Sequence, residues 1–212
     1  MPSKILSRYN YFIVFFVFSA SIQTFGQSNF HLFGMGGVNY IPMKNYSHFI
    51  NQFTNPKIDE VGFNGCFGVK YSQSDNHMIF ISSEIINKNA SYSGGFSMAV
   101  WNFRVIPISL GYQYVFSNKE NVLKPYVGFS VSYSFIEIRG FYSDDMPPSY
   151  NELRKRNKFS IEPIFGFTYT VVDRLSLITE IKYRYISDIE YWYQNVNLSG
   201  LLLNIGIQVN VL

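Results

Sequence analysis

The stretch Leu198–Leu212, LSGLLLNIGIQVNVL, alternates in a way that leaves few folds open. Leu201, Leu203, Ile205, Ile207, Val209 and Val211 fall on one side of an extended chain. Leu202, Asn204, Gly206, Gln208 and Asn210 fall on the other. Side chains of a strand repeat with period two, so one face is apolar along its whole length. A strand buried on both faces reads as a continuous apolar run and does not alternate. A half-exposed strand of a soluble sheet rarely keeps so long an apolar face. A strand with lipid on one side and a polar lumen on the other has both properties.

Seven earlier runs alternate similarly, near Asn29–Tyr40, Val61–Ser72, His77–Asn87, Ser97–Phe116, Pro125–Phe141, Phe159–Val171 and Leu175–Ser187. Most reach the roughly 9–11 residues that a tilted strand needs to cross a membrane. The gaps alternate too. Gln73–Asn76, Ser117–Lys124 and Val172–Arg174 are short, whereas Ile41–Glu60 and Tyr142–Lys158 are long. Short periplasmic turns and longer external loops are the expected asymmetry of an outer-membrane barrel. The pattern predicts an all-β fold, an eight-stranded antiparallel up-and-down transmembrane β-barrel, with both termini periplasmic and the two long loops external.

Composition agrees with that reading. Aromatic residues make up 19% of the 212 residues and charged residues only 15%, against about a quarter charged in soluble domains. Mean hydropathy is only +0.02, which excludes a bundle of long apolar helices and suits strands that average an oily face with a polar one. The net charge of +3 is small and diffuse and carries no argument for nucleic acid. The single cysteine, Cys66, excludes an intramolecular disulfide and reads as a small buried residue.

The first 26 residues read as an export signal. Lys4 and Arg8 precede the apolar run Phe12–Ala20, FIVFFVFSA, which is too short to span a bilayer. Thr24 and Gly26 stand three and one residues before a cut at Gln27, the layout of a secretory signal peptide. Residues 1–26 are therefore expected to be removed and 27–212 to form the barrel, in the cell outer membrane. No cysteine near the cut supplies a lipid anchor.

With the apolar side of each run facing lipid, charge collects inside. Glu162, Glu180, Lys182, Arg184, Glu84, Arg104 and Lys70 all fall on inward parity and predict a structural lumen charge network. An Arg or Lys facing lipid at the midplane costs about 2–4 kcal/mol, so inward placement is the stable one. Gly128, Ser130, Ser132 and Ser134 leave room for these long side chains. A three-residue turn at Val172–Arg174 pairs Val171 with Leu175 and puts Glu162 opposite Arg184. A two-residue turn instead opposes Glu162 to outward Tyr185. The fourth run changes parity, with Trp101, Phe103 and Val105 apolar on odd positions and Ile106, Ile108 and Leu110 on even ones. A β-bulge near Val105–Pro107 accounts for the change, since proline is tolerated there. Aromatic residues near run ends, among them Tyr114, Phe116, Trp101, Phe103, Phe159 and Tyr185, predict two interfacial girdles.

The stretch Phe103–Phe135, FRVIPISLGYQYVFSNKENVLKPYVGFSVSYSF, joins an Ile-Pro and its alternating strand, through a polar turn, to Lys-Pro-Tyr-Val-Gly and a second alternating strand. It resembles the outer membrane protein beta-barrel domain families, including PorT-like small barrels. The resemblance is sharpest over this hairpin and implies an eight-stranded outer-membrane barrel. PorT belongs to a secretion and gliding apparatus. No functional residue carries over, and Leu212 departs from the aromatic residue that usually ends such barrels.

Chemistry is thin. His31, His48 and His77 lie at separate places in the expected topology and cannot converge, and Ser47-His48 are mere neighbours. There is no GxSxG, no phosphate-binding glycine loop and no metal-spaced Cys/His set. No catalytic, cofactor-binding or metal residue is expected, and no cofactor. Asp144-Asp145, in the expected loop Tyr142–Lys158, read as solvated carboxylates, with a cation contact as the lesser reading; the basic group Arg154-Lys155-Arg156-Lys158 in the same loop is either a solvated charge run or a contact for lipopolysaccharide phosphates. The expectation is a small non-enzymatic barrel, structural or an assembly or interaction partner acting through its external loops. Its partners are outer-membrane lipid and lipopolysaccharide, the barrel assembly machinery, and a protein at the loops. A rim-active lipid-modifying enzyme is the alternative.

Overall fold

A computed structural model describes residues 30–43, 56–94, 97–116, 121–144, 150–191 and 194–211. The export segment, the proposed cut at Gln27 and Ser47-His48 lie outside the described residues. Eight long strands make the wall: β1 (Phe30–Tyr40), β3 (Val61–Ser72), β4 (His77–Gly94), β5 (Ser97–Val115), β6 (Leu123–Asp144), β7 (Tyr150–Val172), β8 (Leu175–Ile186) and β11 (Gly200–Val211). Each is antiparallel to its chain neighbour, and β11 returns to pair with β1 from Phe30↔Val211 to Tyr40↔Leu201, which closes the barrel. Three short strands are added: β2 (Pro56–Ile58), which pairs with β4, and the ribbon of β9 (Ile189–Tyr191) and β10 (Gln194–Val196).

The wall has a short half and a tall half. β1, β3, β8 and β11 are 11–12 residues long, about one membrane crossing. β4 to β7 run 18, 19, 22 and 23 residues. The expected loop Tyr142–Lys158 is thus mostly strand, because β6 and β7 remain paired up to Tyr142↔Tyr150. Likewise β4 and β5 stay paired up to Gly94↔Ser97, beyond the expected end at Asn87. The tall half rises as a four-stranded sheet above the level where the short half stops.

Alternation inside the barrel is regular. In β8 every even residue from Ser176 to Ile186 is buried, and Leu177, Ile181, Tyr183 and Tyr185 are exposed. Ile81, Leu110, Phe129, Ile161 and Ile205 continue that exposed apolar belt around the wall. Such a surface is stable against hydrocarbon and unstable as a soluble exterior. Bulky inward rings find space over glycine on the next strand: Phe80 lies opposite Gly111 and Tyr126 opposite Gly166, where an added methyl would overlap the ring.

Two turn features differ from expectation. No bulge interrupts β5. Val105, Ile106 and Pro107 pair in one register with Ile136, Phe135 and Ser134, and the β4 pairings on either side of Pro107 share one register too. Proline's missing N–H costs the ladder locally without shifting it. The odd residues Trp101, Phe103 and Val105 simply point inward throughout and are buried. What changes along β5 is polarity, not parity. At the β7–β8 turn, Asp173-Arg174 is a two-residue turn pairing Val172 with Leu175, and an irregularity between Thr170 and Val172 restores the other register above it.

Candidate functional site

The lumen is filled in layers. Near the short turns, His31 lies between Asn210 (Nδ1 to Oδ1, 2.6 Å) and Ser72 (Nε2 to Oγ, 2.7 Å). Above it pack Phe33, Met35, Cys66, Phe80, Tyr126, Ile164 and Ile178. Lys70 points into this layer, its ammonium 5.0 Å from the Phe33 ring centre and 5.1 Å from that of Tyr126, a cation–π arrangement. Tyr126 donates its hydroxyl to Glu180 at 3.2 Å.

At mid-height four charged side chains meet. Arg184 donates Nε to Glu162 Oε1 and Nη2 to Glu84 Oε2, both at 2.5 Å. Lys182 lies 3.1 Å from Glu84 and 3.8 Å from Glu162. The strands explain the meeting. Ile161↔Tyr185 and Ile164↔Lys182 hold β7 and β8 in the register that opposes Glu162 to Arg184, while Glu84 reaches across the barrel from β4. Leftover oxygen valences are taken by neutral donors. Asn64 Nδ2 donates to Glu84 and Asn204 at 2.7 Å each, and Ser130 and Ser132 donate to Glu162 at 3.1 and 3.4 Å. Two carboxylates and two cations balance, as burial requires. Asn64, Asn204, Ser130 and Ser132 were not assigned this role from sequence, although each has inward parity and a polar side chain.

The top of the lumen is apolar. Ile41, Met43, Ile189, Val196 and Leu198, from the chain above the short half, pack on Ile86, Ala90, Trp101, Phe103, Val105, Ile136 and Ile138 of the tall sheet. Above the belt the sheet reverses its polarity, oil inside and a mostly polar outer face on which Phe141 and Leu153 are also exposed. Trp101 and Phe103 therefore belong to this cap and not to an interfacial girdle, whereas Tyr114, Phe116, Phe159 and Tyr185 do face out.

Arg104 is the one expected lumen charge that lies elsewhere. It has even parity on β5, which is the outer side there, and its Nε reaches Asn87 Oδ1 at 3.4 Å on the exposed face. The rule that apolar means outward fails above the belt, and Arg104 lies above it. The basic group Arg154–Lys158 lies on strand β7, not in a loop. Lys155 shares the outward face with Glu137, while Arg154 and Arg156 share parity with inward Ile138 and Ile136. His77 contacts the Tyr112 hydroxyl on the outer surface, away from inward-facing His31. Among the described residues no group of three or more His, Cys, Asp or Glu side chains is arranged to hold a metal.

Closure by eight antiparallel strands, an oily belt and a filled, charge-balanced lumen occur together in one known architecture. The fold is that of a small outer-membrane barrel. Neisserial surface protein A superposes on 88% of the chain and all of its own length, with TM-score 0.55 and 15% identity. The outer membrane protein OprG from Pseudomonas aeruginosa superposes on 87% of the chain and 97% of its own, with TM-score 0.57 and 14% identity. At such identities the likeness is one of fold. No family model and no curated protein matches the chain.

Proposed function

We propose that this barrel is a non-enzymatic protein of the outer membrane, structural or an assembly or interaction partner, with its tall sheet outside the cell and its termini in the periplasm. The observation that supports this best is how its interior is used. The lumen is packed from Phe33 to Trp101 and its mid-height charges pair with one another. An eight-stranded wall leaves an interior that side chains fill, so transport through it is not the function. What the chain spends beyond a membrane crossing is the tall half of β4–β7, and interaction belongs there. The resemblance of the Ile-Pro and Lys-Pro-Tyr-Val-Gly hairpin to PorT-like barrels supports a secretion or gliding apparatus as one partner class. Its insertion would engage the barrel assembly machinery.

Two measurements test the reading. The exported protein should fractionate with outer membranes; recovery in soluble periplasm after gentle lysis sinks the location. Mass spectra of lipid A from a deletion strain should match the parent. A lost or altered lipid A species would instead favour a rim-active lipid-modifying enzyme.

A further inference from the structure

The outer face of the tall sheet carries a charge row at one height. Arg104 of β5 opposes Glu137 of β6, and Glu137 opposes Lys155 of β7. Arg139, next outward residue on β6, donates Nε and Nη2 to Glu137 Oε1 at 3.1 and 2.8 Å, so that one carboxylate is already engaged. Arg104, Arg139 and Lys155 all act electrostatically on Glu137 and leave the cluster with net charge +2. Arg104 and Lys155 stand two strands apart, about 10 Å.

The height of the row matters. The outward residues immediately below are Ile106, Phe135 and Asn157, with Tyr133 and Phe159 beneath on β6 and β7 at the upper edge of the continuous apolar belt; above the row only Phe141 and Leu153 interrupt the polar outer face of β6 and β7 among the described residues. Two residues along a strand are about 6–7 Å. Tilted in the wall, that step carries the row out of hydrocarbon and into the headgroup layer. Aromatic rings below and cations directly above form a surface that meets acyl chain and anionic headgroup together.

We propose that Arg104 and Lys155, with Arg139 oriented between them by Glu137, bind the phosphate groups of an anionic lipid of the surrounding leaflet, lipopolysaccharide if the tall half faces outside. This rests on the membrane reading above. It does not need the orientation, because binding is measured on purified protein.

The test uses the full exported barrel, folded in zwitterionic detergent and titrated with lipopolysaccharide and with lipopolysaccharide stripped of phosphate. The parent should prefer the phosphorylated lipid and lose that preference as salt rises. Arg104→Ala/Lys155→Ala should weaken it about 30-fold, taking about 1 kcal/mol per interfacial cation. The stripped lipid should bind parent and variant alike. Arg174→Ala, at the opposite end of the wall, should leave binding unchanged. Parental affinity in the double variant, or equal binding of stripped and intact lipid by the parent, overturns the proposal. If the double variant fails to fold, Lys155→Ala alone, at an exposed position, must still weaken binding several-fold or the proposal fails. A protein that binds lipid phosphate this way yet fractionates as soluble would refute the location and leave the site standing.

Discussion

Removing Arg184 should destabilise the barrel more than removing Arg184 and Glu162 together. Both side chains are 1% exposed. The four-charge cluster is neutral with Glu84, Glu162, Lys182 and Arg184 in place. Arg184→Met leaves two buried carboxylates sharing Lys182, which lies 3.8 Å from Glu162. Glu162 keeps only that contact and two serine hydroxyls. An uncompensated buried charge of this kind costs about 3–5 kcal/mol. Glu162→Gln leaves the opposite excess and a similar cost, with Arg184 still held by Glu84. The double variant restores neutrality, because Glu84 and Lys182 remain as a complete pair at 3.1 Å. Its cost should be no greater than that of either single change, so the pair should fall short of additivity by about 3 kcal/mol or more. Urea unfolding in phosphatidylcholine vesicles, followed by the fluorescence of the two tryptophans, gives all four stabilities. Singles that add within about 0.5 kcal/mol, or a double variant that is the least stable of the set, would show that the cluster is not a neutralised unit.

Other perturbations separate wall, cap and topology. Ile205→Arg, on the lipid face at mid-wall, should cost about 2–4 kcal/mol in the same urea titration; a change within error would deny the belt. Trp101→Ala, 3% exposed within the cap, should cost about 3–5 kcal/mol, whereas a ring lying at a membrane interface would cost much less. Gly166→Ala should destabilise by about 1–3 kcal/mol, because the added methyl would meet both the Thr179 carbonyl oxygen and the Tyr126 ring, and Tyr126→Ala should relieve only the part of that cost owed to the ring. Lys155→Cys should react with an impermeant maleimide on intact cells and Arg174→Cys should not; the reverse would invert the barrel in the membrane.

Most of the wall was legible because a strand has only two faces. Once Leu201, Leu203 and Ile205 are outward, Leu202 and Asn204 are inward, and the same logic carried Glu162, Arg184, Lys182, Glu180 and Glu84 into the lumen. The turn at Asp173-Arg174 was harder. Two local solutions led to opposite faces, and the chain combines them, a tight turn followed by an irregularity at Thr170–Val172. Only the apolar pattern far above the turn decides the register. Partners of the network such as Asn64 and Asn204 were harder still: Asn64 reaches Glu84 diagonally on neighbouring β4, and it meets Asn204 over Gly37 of β1, a contact that exists only because β11 closes on β1.

Arg104 marks where parity stops being sufficient. Parity says which residues share a face; assigning that face to lipid or lumen needs the local solvent. Below Ile106 the medium outside is hydrocarbon, so apolar residues turn outward. Above it the medium is water, and Trp101, Phe103 and Val105 bury themselves against Ile41, Met43 and Ile136. An apparent parity change in β5 is therefore the membrane boundary written into the sequence. The same inversion appears on β6, where Phe135 is exposed and the next inward residues, Ile136 and Ile138, are buried oil in place of Ser132 and Ser134. Two strands change polarity at one paired level, Ile106↔Phe135, with no shift of register. A bulge would have moved every side chain above it to the other face and put Trp101 in water. Keeping the ladder regular and exchanging the side chains lets one continuous sheet serve as a membrane wall below and a soluble surface above, with Arg104, Glu137 and Lys155 set at the line between them.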